Sequence, residues 1–157
     1  MYPDLKIVVS RRERMKARAV IDTNVLVSSL IRPDGTAGIL LRRLRDGAFT
    51  AVFSPAIIDE LAAALVHPRI RTKYCLEERA FEPIAALFAL RGEIAIPEES
   101  IRLCRDPDDN FLLETAVAGK ADYIVSGDAD LLDLRKFRTV KIVKPAAFLA
   151  ILDKFCR

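Results

Sequence analysis

Histidine, tryptophan, cysteine and long apolar runs are what this 157-residue chain has least of. Its single histidine, His67, rules out any chemistry that needs paired imidazoles and, beside Pro68 in "LVHPRI", reads as a loop residue. Three cysteines, Cys75, Cys104 and Cys156, are too widely spaced, and odd in number, for a disulfide framework or a zinc site. They read as buried thiols in a reducing compartment, so the cytoplasm is the expected location. The apolar runs are short and broken by charge, and "MYPDLKIVVSRRERMKAR" has no apolar stretch followed by a small-residue cleavage site. Nothing in it directs secretion or membrane insertion. No internal repeat, low-complexity segment or linker divides the chain.

What is present suffices for one core. With 52% hydrophobic and 30% charged residues, the chain is expected to fold as a single soluble globular domain without metal or disulfide staples. That domain is placed at residues 17–157. The first 16 residues are an extension holding a strand-like "LKIVV", a basic run and Met15. A docked extra strand, a disordered basic arm and a start upstream of the usual Met15 all stay open.

Strand-like runs occur at "ARAVI", "TAVFS", "EIAIP", "DYIVS" and "TVKIV", each followed within a few residues by a segment of helical period. This alternation predicts an α/β fold with a mostly parallel sheet. Helices are expected at 24–30, 37–46, 55–66, 77–90, 107–118, 129–134 and 145–155. Ser54 before Pro55, and Asp106 before Pro107, have the form of an N-cap followed by proline in the first turn. Gly47, Gly92 and Gly119 are placed as helix stops. In "EERAFEPIAALFALRG", Phe81, Ile84, Ala85, Leu87 and Phe88 spread over more than one face. Either a dimer contact or neighbouring elements of the same domain would cover the second face.

The net charge of +3 says little, but its distribution says more. Arg42, Arg43 and Arg45 cluster in "LRRLR", and Arg69, Arg71 and Lys73 in "RIRTK", whereas the acids of "DPDD" and "GDAD" fall at element ends. Each basic run alone reads as a solvated helix face or a tail. Together they could form a phosphate-attracting rim around an acidic centre.

In open parallel sheets ligands bind beyond the carboxyl ends of the strands, where helix N-termini point inward. Asp22 ends the first strand and Asp128 follows the fourth. Helical phase puts Asp109 on one stripe with Leu112, Leu113 and Ala116, and Glu114 on the opposite side. Glu60 flanks the stripe of Ile57, Ile58, Leu61 and Leu65, and Asp59 lies roughly opposite it. Each acid also has a plain structural reading: Asp22 and Asp128 as helix caps, Asp106, Asp108 and Asp109 as partners of a helix dipole, and Glu60 as a boundary residue. Four carboxylates at one edge, however, would repel one another and raise each other's pKa unless a cation neutralised them.

An all-oxygen site without clustered His or Cys suits hard cations, one or two Mg²⁺ or Mn²⁺ ions that keep several waters and bind phosphate oxygens. Such a site activates water against a phosphodiester, which points to metal-dependent phosphodiester hydrolysis. Asn24 and Ser126 would serve as neutral hydrogen-bonding partners.

These residues resemble the PIN-domain ribonucleases. "VIDTNVLVS" is similar to the family's opening strand and first metal-binding Asp, matched by Asp22; "SPAIIDEL" matches the segment carrying its Glu at Glu60. "DPDDNFLLETAVAGKADYIVSGDADLL" is similar to the stretch supplying the third and fourth acids, matched by Asp109 and Asp128. The resemblance runs from about Ala19 to Val143. It implies a three-layer α/β/α sandwich around a mostly parallel sheet of about five strands, and an Mg²⁺- or Mn²⁺-dependent endoribonuclease. It also implies frequent service as the toxin of a toxin–antitoxin pair with a cognate antitoxin protein, often as a dimer, and the wording is nearest the VapC-like branch. Two choices stay open: Asp108 against Asp109 for the third ligand, where helical phase favours Asp109, and Asp128 against Asp130 for the fourth, where Asp128 is nearer the strand.

Other readings compete. A phosphatase of the haloacid dehalogenase type needs a second Asp two residues after the first, where this chain has Asn24; a response-regulator receiver needs adjacent acids at the first strand. A non-catalytic module of the same fold that binds RNA or protein, or a housekeeping RNA-processing nuclease, remains as the alternative.

Overall fold

The computed structural model of the chain describes residues 16–74, 76 and 79–155. "LKIVV", the basic run and Met15 lie outside the described residues, as do Cys75 and Cys156.

Element order follows the alternating pattern. β1 (Ala17–Ile21) leads into α1 (Thr23–Ile31) and α2 (Thr36–Arg45); β2 (Phe49–Phe53) leads into α3 (Pro55–Val66), α4 (Pro68–Tyr74) and α5 (Phe81–Arg91). β3 (Gly92–Ile94) precedes a loop and α6 (Pro107–Ala118), and β4 (Tyr123–Val125) precedes α7 (Ala129–Asp133). β5 (Lys136–Phe137), β6 (Val140–Val143) and α8 (Pro145–Phe155) complete the chain. Among the described residues the sheet has six strands, not about five, in the order β3-β2-β1-β4-β6-β5. All neighbouring pairs are parallel except β5 on β6, and β1 runs level with β2 at Ala17 and Phe49 and with β4 at Ile21 and Val125.

Alternation along the strands divides the core into two. Ala17, Ala19 and Ile21 face the side covered by α1, α2, α5 and α8, where Phe49 meets Phe148 edge-on at 5.0 Å. Val20, Val52, Ile124 and Ile142 face the side covered by α6 and α7 through Leu112, Leu113, Ala116 and Leu131. β1 is therefore covered on both faces, which is why it reads as an unbroken apolar run. α5 packs on α2, α3 and β2 of the same domain, with Ile84 and Phe88 buried and Leu90 left 65% exposed. Its neighbours thus account for much of its wide apolar surface.

Local expectations held unevenly. Asp106 caps α6 by accepting from the Asp108 N–H at 2.9 Å, but Ser54, at the start of α3, makes no cap bond. Its buried hydroxyl instead accepts a 2.7 Å bond from Thr115 of α6. Gly47 ends α2 with φ +82°, a left-handed conformation that glycine adopts without steric cost. His67, expected as a loop residue, stands between α3 and α4, and α4 is a helix beyond those expected.

Candidate active site

β1 is the strand at which the order of the sheet reverses: β2 and β3 lie on one side of it, β4, β6 and β5 on the other. Chains leaving β1 and β4 diverge at that point and open a crevice at the carboxyl edge. Asp22 stands there because β1 holds it: its N–H donates to the Val125 carbonyl of β4 at 2.9 Å, so the residue behaves as one more rung of the sheet. Its side chain is only 6% exposed. One carboxylate oxygen accepts from the Ser126 hydroxyl at 2.7 Å and the other from the Asn24 N–H at 3.3 Å, the N-cap bond of α1. Cap and candidate ligand are thus the same side chain. The Asn24 side chain itself is exposed.

Ser126 links the two acids. While donating to Asp22 it accepts from the Asp128 N–H at 3.0 Å, and Asp128 in turn caps α7 by accepting from the Asp130 N–H at 2.9 Å. Asp128 is half-buried and Asp130 exposed. From the next helix Asp109 is buried while Asp108 is exposed; from α3 Glu60 is half-buried while Asp59 is exposed. Glu114, expected on the solvent side, is half-buried.

The electrostatics tie these side chains into one field. Burial pushes the Asp109 carboxyl up to about 6, helped by the charges of Asp128, Asp106 and Asp22 and by a hydrogen bond shared with Asp128. Burial likewise pushes Glu60 up to about 7, with Asp108 and Asp22 adding to it. A polar contact from the Thr23 hydroxyl opposes that rise but falls short of hydrogen-bond geometry, leaving this buried oxygen without a partner. Asp22 is raised as well, chiefly by burial, against the pull of Ser126 and the Asn24 N–H. Asp22 acts on both other acids, so the three share one field.

The donor set is all oxygen, its carboxylates repel one another, and a buried hydroxyl points among them unpaired. These features fit a hard divalent cation. Among the described residues no three His, Cys, Asp or Glu side chains close into a chelate, so the fit is to an open site in which the ion keeps much of its water. Asp22, Glu60, Asp109 and Asp128 are the residues that would hold it.

Two residues gain importance beyond their reading in the sequence. Asp106, taken only as a cap and dipole partner, acts on Asp22, Glu60 and Asp109 alike. Cys104 is not a buried core thiol: it is half-buried, and its thiol is pushed up first by burial and then by Asp109, Asp128, Asp106 and Asp130. The density of acids in "DPDD" was the available signal for Asp106; Cys104 had none.

The expected basic rim is split. Three residues separate the end of α2 from Phe49, which pairs with Ala17 at the amino end of β1. Its last turn, with Arg42, Arg43 and Arg45, therefore sits at the amino edge, a strand length of about 16 Å from Asp22. These side chains are engaged there, Arg42 with the Pro33 carbonyl, Arg43 with Asp153 and Arg45 with Asp46. Arg69, Arg71 and Lys73 lie on α4, whose Tyr74 lines a cavity with α1 and α2.

Comparison with known proteins gives the frame for this geometry. A family profile described as PIN domain matches residues 18–130. The uncharacterized protein MJ1680 of Methanocaldococcus jannaschii is 32% identical over 155 residues, covering 94% of this chain and 99% of the relative. The chain belongs to the PIN-domain family, whose members are generally nucleases that bind RNA and use divalent metals. Among the described residues no helix is long and apolar enough to cross a membrane.

Proposed function

We propose that this PIN-domain protein is an Mg²⁺- or Mn²⁺-dependent endoribonuclease and the toxin of a toxin–antitoxin pair. What supports the nuclease reading is the mutual electrostatic influence of the acids beside the switch point: Asp22 acts on Glu60 and Asp109, Asp128 acts on Asp22 and Asp109, and burial with acidic neighbours raises Glu60 and Asp109.

A bound divalent cation supplies an activated water and stabilises charge on the phosphodiester oxygens. The chain supplies position. Asp22 is fixed by β1, Ser126 and the α1 amide, so its oxygens are aimed before any ion arrives. Asp109 and Asp128 meet across the crevice, and Glu60 approaches from α3. The amino ends of α1, α6 and α8 follow β1, β3 and β6 and so open toward the same edge, where their dipoles favour a phosphate. Asn24 is a neutral amide where a phosphatase would place its general acid, which supports a water-activating site over a phosphoenzyme.

The lack of a closed chelate favours one other reading, a non-catalytic module that binds RNA or protein. Incubation of the purified protein with structured and unstructured labelled RNAs in Mn²⁺, with and without chelator, separates the two. The proposal expects chelator-sensitive fragments from wild type and none from Asp22→Asn. Equal inertness of both, with a bound inhibitor excluded, would leave the binding module. The toxin role is supported by the likeness to VapC-type chains. It predicts a small neighbouring reading frame encoding a DNA-binding antitoxin, and growth arrest on expression of the chain alone. A homodimer, also proposed on that likeness, is checked by sedimentation.

A further inference from the structure

Two cavities, each of about 480 Å³, adjoin one another, and one of them is lined by Asp128. One is walled by Asn24, Gly127 and Asp128, the other by Arg32 and Tyr74; both share Ser28, Thr36 and Ala37, so they form one continuous groove from the acidic crevice to the end of α4. Each half falls within the roughly 300–1,000 Å³ range of pockets that enclose small organic groups. Its lining alternates. Asn24, Ser28 and Thr36 bring polar groups to it, Gly35 at the α2 amino end offers no side-chain cap, and Arg32 and Tyr74 line the part away from Asp128. Tyr74 is 38% exposed although its ring is large, and the Lys73 ammonium sits 5.3 Å from its centroid.

We propose that this groove binds the single strand of RNA on one side of the scissile phosphate, with Tyr74 as the platform on which an unpaired base stacks. The assignment rests on the nuclease reading and extends it. A single strand presents phosphates and bases in turn, which matches a groove that begins at a cation-binding edge and ends at an aromatic flanked by positive charge. A duplex keeps its bases stacked on each other and gives Tyr74 nothing to hold. Lys73 adds positive charge beside the Tyr74 ring, which the amino-edge arginines do not.

The test uses the full chain with an inert Asp22→Asn background and a fluorescein-labelled twelve-residue oligouridylate. Tyr74→Ala is expected to weaken binding roughly 10- to 100-fold, the effect of losing one base stack, and Tyr74→Phe to retain it. Phe111→Ala, an aromatic that is 40% exposed on α6 and absent from the groove lining, is expected to bind like the background. The chain has no tryptophan, so Tyr74→Trp carries a single indole whose fluorescence is expected to be quenched by the oligonucleotide, whereas that of Phe111→Trp is not. Unchanged affinity of Tyr74→Ala with an unquenched indole would overturn the assignment and leave the groove to a protein ligand. Absence of Mn²⁺-dependent cleavage by wild type would instead overturn the nuclease reading, and is scored separately.

Discussion

Ser126 is the residue whose removal separates holding from ligating. Its hydroxyl touches the Asp22 carboxylate at 2.7 Å and the Asp128 amide at 3.0 Å, so Ser126→Ala leaves one buried carboxylate oxygen without its partner and does not change the set of acids. Stability at pH 8 should drop by about 1–3 kcal/mol, the cost of leaving a buried polar group unpaired, as read by urea unfolding. Cleavage should fall roughly 10- to 100-fold, as for loss of a group that orients a metal ligand. The pair Asp108 and Asp109 gives a second residue-scale contrast. Asp109 is buried against Asp128 whereas Asp108 is exposed and acts on Glu60, so Asp109→Asn should abolish cleavage and Asp108→Asn should reduce it only partly. The reverse ranking in a cleavage assay would show that the exposed acid is the ligand.

Elements that bury a continuous apolar face were legible in the chain. β1 and α6 match their expected bounds to the residue, because an unbroken apolar run and a cap followed by proline are strong local signals. β5 was missed: it is two residues long, and its turn holds Arg138 at φ +54° without a glycine to mark it. α4 was missed because its seven residues bury no side chain and leave no periodic trace. Acid positions on α3 and α6 could be phased, since each helix has one core-facing stripe, but the fate of the α2 arginines depended on which edge of the sheet the helix ends at. That is a property of topology, not of spacing. Close approach of elements is equally hidden. A Cβ on Gly38 of α2 would lie 1.9 Å from the Pro33 carbonyl oxygen, a backbone atom that cannot step aside. Gly38→Ala should therefore cost about 1–3 kcal/mol and lower Tm by several degrees in a thermal melt.

At the scale of the whole molecule the acid cluster makes stability depend on pH and on cations. Folded Glu60 keeps its proton to about pH 7 against 4.5 when unfolded, and Asp109 to about 6 against 3.8. Between about pH 4 and 7 the folded chain thus binds more protons than the unfolded one, and the metal-free protein should lose stability as pH rises through that window. Melting curves from pH 4.5 to 8 in chelator check this, with Asp109→Asn flattening the slope below about pH 6 and leaving the part above it to Glu60. Mn²⁺ at pH 8 should raise Tm, because an ion that binds only the folded cluster stabilises it by mass action and removes the repulsion. A Tm that rises with pH across the window would mean that the carboxylates are not gathered as described.

The claim that these acids perform metal-dependent hydrolysis is tested most directly by single-turnover cleavage of a labelled RNA across a Mn²⁺ titration, comparing wild type with Asp22→Asn at pH 8. The account predicts cleavage that rises with Mn²⁺, vanishes in chelator and falls at least about 100-fold in the variant, since Asp22 is the buried acid held by β1, Ser126 and the α1 amide. Cleavage that persists in chelator, or that is equal in wild type and Asp22→Asn, would contradict it.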